Sequence, residues 1–244
     1  MKKLLLSFLL LCSSAFAADC DQLVAWGFPT APPQSIALCQ IAFFTEWDPA
    51  TRNPAYSAEY LLEENVSGIE NRQGTFKQHP NIAAELQATN EDYFKSGYDR
   101  GHMAPAGDMR KDSAAMAQSF YLTNMVPQLP VLNRRFWASL EGSVRSKVRP
   151  DRSLYVITGP IYNHPTILGK GVWVPSHTYK IIYDKTANMV ASYILPNDAT
   201  ISGKLSTFYV TLEQVESTTK LTYFPSMPSN IRAALKQAPL DQGW

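Results

Sequence analysis

Short apolar runs mark strands at Ile41 to Thr45 and Ala58 to Leu62, joined by a turn through Asp48, Pro49, Asn53 and Pro54. Glu63 to Ser96 is polar and reads as surface chain with one short helix at Ile82 to Ala88. A strand is expected at Phe120 to Met125; Pro127 and Pro130 then interrupt the chain, and from Asn133 the apolar spacing turns helical. At about 100° per residue, Phe136, Leu140, Val144 and Val148 make one stripe. Beyond it, Leu154 to Thr158, Val172 to Val174, Thr178 to Tyr183, Val190 to Leu195 and Phe208 to Val210 are rich in β-branched and aromatic residues and separated by Gly and Pro. These predict the main sheet. Leu212 to Thr218 and Asn230 to Gln237 predict short helices, the second with Ser229 as its N-cap. The pattern as a whole predicts an α+β fold, with a mainly antiparallel central sheet and flanking helices.

Met1 to Ala17 carries two lysines, an apolar run from Leu4 to Leu11 and the tripeptide Ala15-Phe16-Ala17, the form of a cleaved secretory signal. The run is too short to act as a stable membrane anchor. Export is therefore expected, to a periplasm or the medium. Residues 18–244 hold no linker, repeat or low-complexity tract and are expected to form one domain. Cys20 and Cys39 would remain as an even pair in an oxidising compartment, where a disulfide between them would contribute about 3 kcal/mol, mostly by restricting the unfolded chain. Loss of Lys2 and Lys3 leaves 20 cations against 21 anions, so the chain is not globally basic. Binding of nucleic acid would need a local patch, and Arg134 to Arg152, with six cations against Glu141 and Asp151, is the candidate.

The chemistry concentrates in Tyr98 to Met109, YDRGHMAPAGDM, which reads as a Pro/Gly-interrupted turn. An imidazole that exchanges a proton near neutral pH, beside a fixed guanidinium, suits phosphate chemistry. Asp99 reads as a structural partner for Arg100. Asn133 falls on the apolar stripe of its helix, where an amide oxygen needs a partner and a cation can supply one. Glu141 and Arg145 flank that stripe. Neither HExxH nor GxSxG is present, which argues against a metalloprotease or a serine hydrolase.

DRGH at Asp99 to His102, YLTNMVPQ at Tyr121 to Gln128, then Asn133, Glu141 and Arg145, resemble in that order the DNA/RNA non-specific endonucleases of the ββα-metal superfamily. The likeness runs from about Phe43 to Pro228. The resemblance implies His102 as the general base acting on water and Asn133 as the protein ligand of one Mg2+, for which Mn2+ or another divalent cation can substitute. It implies Glu141 as the acceptor for a water of that ion and Asn124 as an amide beside the metal and the scissile phosphate. Arg52, Arg100 and Arg145 would hold phosphates, Arg52 being the nearest match to an arginine upstream of DRGH. DNA and RNA, single- or double-stranded, would be cut with little sequence preference to leave 5'-phosphates. An inactive nucleic-acid-binding protein on the same scaffold is the rival reading. Oligomeric state and the existence of an inhibitor protein are left open by the sequence.

Overall fold

The computed structural model describes residues 20–237, so the leader read at Met1 to Ala17 lies outside the described residues. The chain opens with an antiparallel meander of β1 (Ile36–Cys39), β2 (Phe43–Asp48) and β3 (Asn53–Leu61), followed by the short helices α1 (Glu63–Ser67) and α2 (Asn90–Tyr93). A separate ladder pairs β4 (Asp99–His102) with β5 (Met125–Gln128), and α3 (Ser113–Ser119) lies between them in sequence. A π-helical turn at Leu132–Trp137 leads into α4 (Ala138–Arg145). Next come β6 (Leu154–Ile161), the small hairpin of β7 (Ile167–Leu168) and β8 (Val172–Trp173), β9 (His177–Asp184), β10 (Met189–Pro196) and β11 (Tyr209–Val210). The helices α5 (Leu212–Thr219) and α6 (Ser229–Lys236) follow. The main sheet runs β1-β2-β3-β6-β9-β10-β11 with every neighbouring pair antiparallel. The fold is α+β.

Alternation along the strands divides the core. On β3, Tyr56 and Ala58 join Ile157, Ile181 and the α5 residues Leu212 and Val215 on one side of the sheet. Leu61 joins Leu154, Val156 and Ile182 on the other, against Trp137, Leu140 and Val144 of the π turn and α4. Each such side chain contributes about 2 kcal/mol on leaving water. The second face carries the site, because α4 lies on it.

Several elements differ from the sequence expectation. DRGH is a strand rather than a turn, since Asp99 through His102 pair in register with Gln128 through Met125. Gly101 is required there because a Cβ would come 2.1 Å from Oε1 of Gln128. The strand expected at Phe120 starts only at Met125, after a 3-10 turn at Leu122–Asn124, and it includes Pro127. A two-stranded ladder has edges that tolerate a missing N–H. Around Ile82 only a 3-10 turn forms, Ala84–Leu86. The N-cap of α6 is Pro228, and Ser229 is the first helical residue. Cys20 and Cys39 are joined, with Cα atoms 5.8 Å apart, and tie the N-terminal segment to β1. No helix among the described residues is long and apolar enough to cross a membrane.

Candidate active site

The β4-β5 ladder and α4 flank a cleft of about 260 Å³ whose lining includes Arg72, Arg100, His102, Asn133, Glu141 and Arg145. His102 ends β4 and is buried, and its Nε2 has no hydrogen-bond partner among the described residues. Phe120 meets the imidazole edge-on with ring centres 5.0 Å apart, and Trp137 Nε1 donates to the His102 carbonyl at 3.4 Å. Burial, and after it the charge of Arg72, lowers the His102 pKa to about 3. The ring is therefore neutral at pH 7 and has a nitrogen to spare.

Asn133 sits in the π turn, whose wider winding leaves it half-buried at the cleft while Leu132 and Trp137 enter the core. Its Nδ2 donates to Oδ2 of Asp99 at 2.9 Å, and Arg134 grips both oxygens of the same carboxylate at 2.8 and 2.7 Å. Burial pushes the Asp99 pKa up, but the hydrogen bonds of Arg134 and Asn133 and the charges of Arg134 and Arg100 outweigh it, and the carboxyl is held below its ordinary range. An ionised carboxylate can only accept, so the amide must turn its NH2 toward Asp99. The Asn133 oxygen is thereby left to face another partner. The hydrogen-bond partners of Asp99 are thus Asn133 and Arg134, and Arg100, its neighbour in sequence, contributes only its charge.

Glu141 and Arg145 come from successive turns of α4. Burial raises the Glu141 pKa to about 7, with Asp108 adding to the rise and Lys180, Arg145 and Arg72 opposing it. Arg145 Nη1 donates to Oδ1 of the buried Asp108 at 2.8 Å. The Arg100 guanidinium lies 5.0 Å from the Phe76 ring centre and 5.3 Å from that of Tyr93, and it donates to the Asn90 carbonyl at 3.3 Å. Arg72 stands 5.2 Å over the Phe120 ring, so it and His102 contact the same aromatic side chain. Among the described residues no three of His, Cys, Asp and Glu gather as a metal cage. The donor set on offer is an oriented amide oxygen with a carboxylate in the same cleft, which fits a hard divalent ion that keeps most of its water.

Residues 21–230 match the family described as DNA/RNA non-specific endonuclease. The chain belongs to that family. Nuclease C1 of Cunninghamella echinulata var. echinulata is 37% identical over 197 residues, 72% of this chain and 77% of that one. The human mitochondrial endonuclease G is 34% identical over 200 residues, 74% of this chain and 67% of its own. The mitochondrial nuclease EXOG of Xenopus laevis is 33% identical over 226 residues, 85% of this chain but 63% of its own, so this chain spans less than two thirds of that relative. A chain in the crystal structure of the EndoG/EndoGI complex superposes with a TM-score of 0.76 at 31% identity, covering 85% of this chain and 91% of that one. These relatives correct one expectation. EXOG, endonuclease G and the Saccharomyces cerevisiae relative are mitochondrial nucleases, which overturns the reading of this chain as an exported, periplasmic or secreted protein.

Of the residues expected in the endonuclease site, Arg100, His102, Asn133, Glu141 and Arg145 line one cleft, and Arg52 and Asn124 do not. Arg52 holds a left-handed backbone, φ 57°, in the β2-β3 turn and donates to the Gln87 carbonyl at 3.0 Å. Its guanidinium is a tie between loops. Asn124 is fully buried; its oxygen accepts from Ser57 Oγ and Ala104 N, and its Nδ2 donates to the carbonyls of Ala104 and Ser119. Nothing of that amide is left for metal or phosphate, and its work is to brace the chain two residues past His102. A third guanidinium stands in the cleft with His102 beside those of Arg100 and Arg145: Arg72, not anticipated from the sequence because it lies in a polar stretch. Its signal was local and faint: Gly74 and Phe76 follow it at alternate positions, and a Cβ on Gly74 would come 2.2 Å from the Phe120 ring.

Proposed function

We propose that the chain is a divalent-cation-dependent endonuclease that hydrolyses phosphodiester bonds in DNA and RNA with little regard to sequence. The observation that carries this reading is the unpartnered Nε2 of a neutral imidazole in a cleft shared with three guanidinium groups and an oriented amide oxygen. His102 takes the proton of the attacking water. Arg72, Arg100 and Arg145 hold phosphate oxygens, and the phosphate's own charge offsets that of Arg72 and raises the basicity of His102 toward the working pH. Asn133 would hold Mg2+ through its amide oxygen, and Glu141 accepts from water around it. When bound, the cation neutralises charge on the phosphate and the leaving 3' oxygen. Cleavage on that side leaves a 5'-phosphate. None of these groups reads a base edge. The mitochondrial relatives favour a mitochondrial setting for the activity.

Purified protein incubated with supercoiled plasmid, single-stranded DNA and RNA tests the reading. All three are expected to be degraded in Mg2+, to survive in chelator and to be degraded again when Mg2+ or Mn2+ is returned. Retention of DNA on a gel without cleavage in any divalent ion would instead identify an inactive binding protein, and full turnover in verified metal-free protein would remove Asn133 from its role.

A further inference from the structure

The three guanidinium groups of the cleft are held in two different ways. Arg145 is paired with Asp108, whereas none of the ion pairs among the described residues includes Arg100 or Arg72. Arg100 is half-buried, and its Nε has no hydrogen-bond partner among the described residues. Its guanidinium carbon instead stands over two rings, 5.0 Å from the centre of Phe76 and 5.3 Å from that of Tyr93. Both distances lie within the range where the negative face of a ring attracts a cation. A carboxylate in that place would cancel the charge and occupy the N–H fork, and a phosphate would then have to displace it. A ring face holds the cation and leaves both its charge and its donors available.

Of the two rings, Phe76 has the wider set of contacts with the site. It lies 5.9 Å from the His102 imidazole and 5.2 Å from the Phe120 ring, measured between centres. Its carbonyl accepts from Nδ2 of Asn90 at 2.9 Å, and the carbonyl of Asn90 is the group that receives Arg100. The backbone is fixed at the next residue, where Lys77 N donates to the Phe120 carbonyl at 3.3 Å and Leu122 N to the Lys77 carbonyl at 2.8 Å. The ring is half-buried between two apolar clusters, one containing Met116 and Phe120 and the other Tyr93 and Leu122. Another apolar side chain of similar size would satisfy that packing; holding a cation over the face requires a π system.

We propose that Phe76 is a positioning residue of the nuclease: its ring holds the Arg100 guanidinium in the cleft beside His102, with its charge free for a backbone phosphate. The proposal rests on the functional reading above and deepens it. Phe76→Tyr keeps the ring, and Phe76→Leu replaces it with an apolar side chain that has no π face; Phe76→Met does the same should Phe76→Leu fail to fold. With plasmid in Mg2+, Phe76→Tyr is expected to keep kcat/KM within about twofold and Phe76→Leu to lose about five- to tenfold. In an Arg100→Ala background, Phe76→Leu is expected to cost less than about a further twofold. Salt supplies a readout that packing does not move. The dependence of log Kd on log salt concentration, measured in chelator with a fluorescent oligonucleotide, is expected to lose about one unit of slope in Arg100→Ala and in Phe76→Leu, and none in Phe76→Tyr. A side chain that only packs would lower Tm in Phe76→Leu but leave the slope at its wild-type value and give losses that multiply in the double variant. Either of the last two results overturns the proposal, as does a loss in Phe76→Tyr equal to that in Phe76→Leu. The slope is read without turnover, so it decides the role of Phe76 separately from the nuclease reading: an unchanged slope in a chain that cuts removes Phe76 alone, and a chain that cuts in no divalent ion removes the reading.

Discussion

At the scale of single residues, the site depends on an imidazole that folding keeps uncharged. His102 has its folded pKa depressed, to about 3, by burial and by Arg72. The unfolded chain therefore binds this proton first as pH falls below about 6.5, and the group's contribution to stability, complete above that value, is lost on the way down. Wild type is expected to lose about 2 kcal/mol more stability than His102→Gln between pH 7 and pH 5, measured by urea denaturation at each pH; equal losses would show that the ring is not held neutral by the fold. Asn133 shows what the sequence could and could not disclose at this scale. Its place on an apolar stripe already demanded a partner for the amide. Which end of the amide faces the cleft depends on Asp99, 34 residues earlier, and on Arg134, which fixes that carboxylate in its ionised form.

At the scale of elements, two strands and a helix carry the proposed chemistry, and β4 and α4 depart from regularity at the cleft. β4 needs Gly101 because the Gln128 side chain crosses it. α4 starts from a π turn that offers Asn133 to the cleft. The helix and the later strands were legible because their periodicity is local. The β4-β5 ladder was not: Gly101 in one segment and Pro127 in the other read as breaks, and only their pairing, about 25 residues apart, satisfies the backbone. The same limit explains the misplaced arginine. Arg52 precedes DRGH at a plausible distance, but long-range packing delivers Arg72 to the cleft. Arg72→Ala is expected to lower kcat/KM by about 10- to 100-fold by removing a charged hydrogen-bond donor to the phosphate. Arg52→Ala is expected to leave kcat/KM within about twofold while lowering Tm by a few degrees. Steady-state kinetics and thermal melts on the two variants check this, and the reverse ranking would restore Arg52.

At the scale of the whole molecule, the antiparallel sheet separates a largely apolar face packed against α5 from the face that carries α4 and the cleft. The chain is close to neutral overall, with a formal charge of +1, so attraction for nucleic acid has to come from the guanidinium groups gathered at one cleft rather than from net charge. That gathering, around a neutral base, is the central claim. Its most direct measurement is the rate of plasmid cleavage by His102→Ala beside wild type under one Mg2+ concentration at pH 7.5. The account predicts a loss of about 10³-fold with circular dichroism and Tm preserved; cleavage at the wild-type rate would contradict it.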